Sequence, residues 1–157
     1  MNAILKSIRK LRDESGQAAV ELAVSLPLLL LVVTGITTFG IALNNYQTLL
    51  NATSVGAQQL AISRGQTTDP CSTTSTAVYN AAQNLTHANL GFKITINGVS
   101  YTGTSCSAAT TITGSAANMV QGATAQVTVT YPCSLVVYKA NYAPTCSLTA
   151  QSSELIQ

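Results

Sequence analysis

An uncharged apolar run over residues 22–43 constrains this chain more than any other feature of its sequence. At 1.5 Å per residue, a helix of that length reaches about 33 Å, which is enough to cross a hydrocarbon core of roughly 30 Å. A cleavable signal peptide has a shorter apolar core of about 7–15 residues. Gly40-Ile41-Ala42 has the small-x-small form of a signal-peptide site, but the length of the run favours a single membrane-spanning helix.

Basic residues lie mainly ahead of this run and predict its orientation. Four of the seven Lys and Arg residues fall within the first twelve positions, at Lys6, Arg9, Lys10 and Arg12. Positive charges flanking a span favour the cytoplasmic side. We therefore expect a cytoplasmic N-terminus and a translocated C-terminal head.

The composition excludes several classes of function. Charged residues make up 8% of the chain, and there is no Trp, so the basic patch of a nucleic-acid-binding protein is lacking. His87 is the only histidine, and the acids beyond Gly65 are Asp69 and Glu154. With no nucleophile motif, phosphate-binding loop or closely spaced pair of carboxylates, we expect neither an enzyme nor a cofactor.

Periodicity predicts that the helix continues beyond the membrane, over about residues 18–63. Apolar and small residues recur there at three- and four-residue spacing, and polar residues fill the other side. The predicted stop is Arg64-Gly65, a basic residue followed by glycine. The predicted inward face comprises Tyr46, Leu49, Leu50, Thr53, Ala57, Leu60 and Ala61.

The head is predicted to hold one more helix and an antiparallel sheet. The helix covers about residues 75–88 and buries Val78, Ala81, Ala82 and Leu85. Asn97-Gly98 predicts a two-residue hairpin in which Ile96 faces Val99 and Ile94 faces Tyr101. Alternation predicts a strand at residues 125–131 that ends at Pro132, and a weaker pattern predicts another over 147–154. The segment 104–122 is predicted to be a loop.

The cysteines indicate an oxidising compartment, because all four follow the apolar run and a small translocated head benefits from disulfides. Four cysteines allow three connectivities. We favour Cys71–Cys106 together with Cys133–Cys146. Zinc is the alternative, but no two cysteines have the two- to four-residue spacing of a structural zinc site, and there is no C-x-x-C redox motif.

Two residues of the span are unusual in an apolar helix. Pro27 removes one backbone hydrogen bond and predicts a kink, which membrane helices tolerate better than soluble ones. Glu21 stands at the start of the run, where a carboxylate either lies in the headgroup region without a partner or pairs with a cation from another chain.

The N-terminal segment resembles a known family. Ser15-Gly16-Gln17-Ala18-Ala19-Val20-Glu21-Leu22 resembles the cleavage region of prepilins of the Flp, or tight-adherence, branch of the type IV pilus system. The following run, with Gly35, Phe39-Gly40 and Asn45-Tyr46, is similar to the TadE-like family of minor pseudopilins. The resemblance covers roughly residues 13–65.

The resemblance implies processing and assembly. A prepilin peptidase would cut between Gly16 and Gln17 on the cytoplasmic face and expose an α-amine, which is protonated at neutral pH. Glu21 of one subunit would pair with that amine of a neighbour and set the axial register. The resemblance further implies other pilin subunits and the assembly platform as partners. The expected protein is therefore part of a hetero-oligomer at the bacterial inner membrane, with its head in the periplasm.

Two departures from the family pattern favour a minor subunit over the bulk fibre subunit. Major pilins of this branch have an aromatic residue after the glutamate, where this chain has Leu22. They also lack a sizeable head, whereas this chain continues well beyond Gly65. The expected role is therefore a minor, tip or priming subunit.

Together these features predict an α+β, pilin-like protein in three parts. They are a basic leader (1–16), a transmembrane and extended helix (17–64) and a disulfide-bearing head (65–157). One rival interpretation is a signal-anchored envelope protein whose head binds a partner without entering a fibre. Another is a secreted enzyme or lectin-like head released after the span.

Overall fold

The computed structural model describes residues 2–106, 119–133, 136–137 and 140–157, with side chains from Gly16 onward. Within these residues the chain forms a long helix α1 (Asn2–Ile62), a short helix α2 (Pro70–Ala81), a 3₁₀ turn (His87–Asn89) and six strands. The strands are β1 (Gly91–Ile96), β2 (Val99–Thr102), β3 (Thr124–Pro132), β4 (Val136–Val137), β5 (Ala140–Asn141) and β6 (Ser147–Leu155). This arrangement confirms the predicted α+β fold with one membrane-type helix.

Helix α1 is continuous through the apolar run and into the head. It has 61 residues, which corresponds to about 92 Å at 1.5 Å per residue. It starts before the predicted first residue, and it ends close to the predicted stop, where Gly65 has a φ of +72°. Glycine adopts this left-handed conformation without a Cβ penalty, which is why the chain turns there.

The outer half of α1 packs on the head through the predicted face. Leu49, Thr53, Ala57 and Leu60 have no exposed surface, and they follow the three- and four-residue spacing of one helix face. Leu50 is the exception. It is 40% exposed because it lies about 100° around the helix from Leu49, away from this line.

Helix α2 begins and ends earlier than predicted. Asp69 caps its N-terminus by accepting a hydrogen bond from the Ser72 N–H at 3.1 Å, and Pro70 occupies the first helical position. This combination is a favourable helix start. After Ala81, which is exposed and not buried as predicted, the chain leaves the helix, and the buried Ala82 and Leu85 belong to the irregular segment that follows.

The predicted hairpin has the predicted register. Ile96 pairs with Val99 and Ile94 with Tyr101, and the turn residues Asn97 and Gly98 have φ angles of +49° and +81°. Positive φ at both positions is the requirement of a type I′ turn.

Four strands of the described head form one antiparallel sheet in the order β2-β1-β3-β6. Ala125, Val127 and Val129 of the central strand β3 are completely buried, and the alternate residues are half-buried. Strand β6 pairs with β3 along nine residues, from Thr124 opposite Leu155 to Pro132 opposite Ser147. Both strands were predicted with nearly these bounds.

A second, smaller hairpin extends from the end of β3. Strands β4 and β5 pair Val136 with Asn141 and Val137 with Ala140, and we call them the outer hairpin. The outer hairpin has no counterpart among the elements predicted from the sequence. The apolar face of the main sheet packs on α1 and α2 to form one core. The predicted loop at 104–122 lies mostly outside the described residues.

Candidate functional site

The glycine and the two polar side chains at the start of the apolar run lie close together on α1. Gly16 and Gln17 are exposed, as is Glu21 one turn further on. The Gln17 Nε2 donates a hydrogen bond to the Glu21 Oε1 at 3.3 Å. Residues four positions apart share a helix face, and helical side chains point back toward the N-terminus. The Glu21 carboxylate therefore lies over the turn that holds the Gly16–Gln17 peptide bond.

The helix beyond Glu21 presents a bare apolar surface. Fourteen large apolar side chains from position 20 to 43 are each 44–73% exposed. Of the described helices, α1 alone is long and apolar enough over Gly16–Ile62 to cross a membrane. A soluble monomer rarely exposes a patch of this size. Lipid or the helices of other chains must cover it.

Hydroxyl groups within the span are satisfied by their own helix. The Thr34 Oγ1 donates to the Leu30 carbonyl at 2.8 Å, and the Thr37 Oγ1 donates to the Val33 carbonyl at 2.8 Å. The Thr38 Oγ1 likewise donates to its own helix, to the Thr34 carbonyl at 2.8 Å. Helix α1 continues through Pro27, and the predicted kink stays a prediction.

Two disulfides cross-link the head. Cys71 is joined to Cys106 with a Cα–Cα distance of 5.4 Å, and Cys133 is joined to Cys146 with a distance of 5.1 Å. These are the pairs favoured by the sequence analysis. The first holds the start of α2 against the segment that follows β2, and the second closes the loop that carries the outer hairpin.

Asp69 is a structural residue that the sequence analysis missed. Besides capping α2, its Oδ1 accepts a hydrogen bond from the Cys106 N–H at 3.0 Å, and its Oδ2 accepts one from the Ser105 hydroxyl. The Asp69-Pro70 pair is the sequence signal that would have located it. Asp69 lies close to both sulfurs of Cys71 and Cys106, but the disulfide leaves no thiolate to ligate a metal.

The remaining candidate residues of the head occupy packing or surface positions. His87 stacks on Tyr79 with ring centroids 4.6 Å apart, in the 3₁₀ turn and not at the end of a longer helix as predicted. Tyr131 is half-buried against the core, and Tyr142 is 74% exposed. Tyr138 lies outside the described residues.

An apolar groove lies where the head meets the membrane helix. It has a volume of about 270 Å³ and lies between Phe39, Leu43 and Tyr46 of α1 on one side and Leu148 with the Cys133–Cys146 disulfide on the other. The surface that lines it is wholly apolar. The residues that line this groove include no catalytic grouping of side chains.

Comparisons with known proteins give one match, to the N-terminal part of the chain. Residues 16–58 match the family model described as TadE-like protein. Neither the curated proteins nor the solved structures gave a significant match. The matched segment contains Gly16, Gln17 and Glu21, the apolar run and part of the face that packs on the head. Residues 16–58 are thus similar to the TadE-like family, which confirms the resemblance seen in the sequence over this segment.

Proposed function

We propose that this chain is a minor pilin-type structural subunit, without enzymatic activity, of the Tad pilus apparatus. A prepilin peptidase cuts it between Gly16 and Gln17 at the cytoplasmic face of the bacterial inner membrane. The processed helix then leaves the lipid and packs against the helices of other pilin subunits at the assembly platform. One observation carries the proposal: the segment that matches the TadE-like family model exposes its apolar surface from position 20 to 43 and has one carboxylate, Glu21, near its N-terminal end.

The proposed cleavage agrees with the local physics of the helix. Glycine is about 1 kcal/mol less favourable than alanine inside a helix, so Gly16 is a weak point at which α1 can open to a peptidase. An added Cβ at Gly16 would meet no atom within 4 Å. A Gly16→Ala variant therefore tests cleavage without disturbing packing.

The proposed role of Glu21 follows from its charge and its position. A carboxylate and an ammonium ion attract more strongly in apolar surroundings than in water, and breaking a buried pair costs about 3–5 kcal/mol. Cleavage would create such an ammonium at Gln17. Pairing it with Glu21 of a neighbour neutralises both charges before the two helices pack inside a fibre, and this pairing sets their axial register.

The test is to produce the full chain in cells that hold the pilus apparatus and to measure its mass and its N-terminal sequence. The expected product begins at Gln17. The Gly16→Ala variant should keep its leader, whereas Glu21→Gln should be processed and should fail to enter the fibre fraction. Glu154→Gln, which removes an exposed acid of the head, is the matched control and should behave as the wild type.

Two results would refute this proposal. A wild-type protein that keeps Met1 in the presence of the peptidase would favour the signal-anchored envelope protein. A soluble product that begins near Leu43 would favour a secreted head.

A further inference from the structure

The outer hairpin reaches down the membrane helix. The Thr38 Oγ1, which donates a hydrogen bond to the Thr34 carbonyl at 2.8 Å, lies 3.3 Å from the carbonyl oxygen of Val136. Thr38 lies inside the uncharged run and not in the part of α1 that supports the main sheet. The head therefore touches α1 within the segment that crosses the membrane.

The part of α1 between Glu21 and Thr38 is too short to place the outer hairpin outside the bilayer. Thr38 follows Glu21 by 17 residues, which is about 26 Å of helix. The hydrocarbon core is roughly 30 Å thick, and a typical tilt of about 20° shortens the reach further. With Glu21 at the inner boundary, the Thr38–Val136 contact lies at the outer edge of the hydrocarbon.

The hairpin and its surroundings have the chemistry of a membrane interface. Val136 is 45% exposed, and Tyr142, which follows the partner strand of Val136, is 74% exposed. Tyrosine is enriched where headgroups meet acyl chains. Beside the hairpin, the wholly apolar groove between Phe39 and Leu148 opens at the same level of α1. Water in this groove finds no hydrogen-bond partner in the apolar walls, whereas an acyl chain would remove the apolar surface of the groove from water.

We propose that the outer hairpin is an interfacial anchor that lies in the outer leaflet of the membrane before the protein enters any fibre. Val136 and Tyr142 lie among the headgroups and the first acyl carbons, and an acyl chain fills the groove. The anchor fixes the height and orientation of the head above the bilayer. It requires the membrane span and is independent of the pilus role proposed above.

Because the chain has no Trp, a single introduced tryptophan reports directly on the hairpin. The full chain is reconstituted at one copy per nanodisc of phosphatidylethanolamine and phosphatidylglycerol, with or without bromine on the acyl chains. Val136→Trp is compared with Val99→Trp. The two valines are 45% and 44% exposed, but Val99 borders the turn at the opposite end of the sheet.

Val136→Trp should show blue-shifted emission, strong quenching by shallow brominated lipids and at least a threefold lower sensitivity to aqueous iodide than Val99→Trp. Tyr142→Trp provides a second probe if Val136→Trp disturbs the disulfide-closed loop, which the mass of the oxidised protein reports. Equal iodide quenching of the hairpin and Val99 probes, without bromolipid quenching, would overturn the proposal. Blue-shifted emission that appears only with several copies per disc would also overturn it, because a second copy would then cover the hairpin.

Discussion

Gly56 of α1 faces α2 without room for a Cβ, and adding a methyl group there tests the packing of the head on its helix. An ideal Cβ at Gly56 would lie 2.5 Å from the Val78 Cγ2, and that side chain is completely buried. Carbon atoms prefer to be about 3.5–4.0 Å apart. Valine has one strongly preferred rotamer in a helix, so Val78 has little freedom to move away.

The expected magnitude combines two opposing effects. Overpacking a close-packed core lowers the free energy of unfolding by about 1–3 kcal/mol. Replacing glycine by alanine inside a helix raises it by about 1 kcal/mol. The overlap of about 1 Å places the cost in the upper part of its range, so Gly56→Ala should lower the free energy of unfolding by about 1–2 kcal/mol. For a head of roughly 100 residues, this corresponds to a drop in Tm of about 4–15 °C.

The assay is thermal unfolding of the full chain in detergent micelles, followed by near-ultraviolet circular dichroism of the tyrosines. Gly40→Ala is the matched control, because its added Cβ meets no atom within 4 Å. In a double-mutant cycle, Val78→Ala should relieve part of the Gly56→Ala penalty, since it removes the clashing methyl group. If Gly56→Ala and Gly40→Ala unfold at the same temperature, the reasoning about close packing of α1 and α2 is wrong.

Three further predictions concern the head and use the same unfolding assay. Asp69→Ala should destabilise it by about 2–4 kcal/mol, because α2 loses its cap and the N–H of Cys106 loses its acceptor. Thr74→Val should leave stability unchanged or raise it by about 1–2 kcal/mol, because the buried Thr74 Oγ1 has no hydrogen-bond partner among the described residues. Replacing Cys71 and Cys106 together by serine should cost about 4 kcal/mol, from the chain entropy of a cross-link 35 residues apart.

The predictions for Thr74 and for the Cys71–Cys106 disulfide each have a control. Thr53→Val removes a buried hydroxyl that donates to the Leu49 carbonyl at 2.7 Å, so it should not stabilise the head. Removal of the Cys133–Cys146 disulfide, with a separation of 13 residues, should cost about 3 kcal/mol and hence less than removal of the first. An unchanged Tm for Asp69→Ala, a destabilised Thr74→Val or the reverse order of the two disulfides would contradict the respective argument.

The elements predicted well are those specified by local physics. The long apolar run, its continuation at helical spacing and the glycine that follows specify α1. Asn97-Gly98 fixes the hairpin register, because few other residue pairs adopt two positive φ angles in succession. The alternation from Ala125 to Val129 specifies β3, because residues of one parity face the core.

The features that were missed depend on contacts between distant segments. Leu50 has the spacing of a core residue, but the head covers only the neighbouring stripe of α1. The outer hairpin has two-residue strands, too short for a periodic signal, and its position depends on the Cys133–Cys146 disulfide and on Thr38. Helix α2 starts at the Asp69-Pro70 cap, ahead of the residues whose apolar spacing predicts a helix over about 75–88.

Strand β6 has a consequence for biogenesis. It pairs with the central strand β3 along its whole length, and beyond it the N–H of Gln157 donates to the Ala61 carbonyl at 3.1 Å. Ribosomes make this segment after every other element described above. Under the proposed topology, a head that is translocated during its synthesis cannot complete the main sheet before β6 has been made. The main sheet and its contact with the end of α1 are therefore completed only when β6 has been made and translocated.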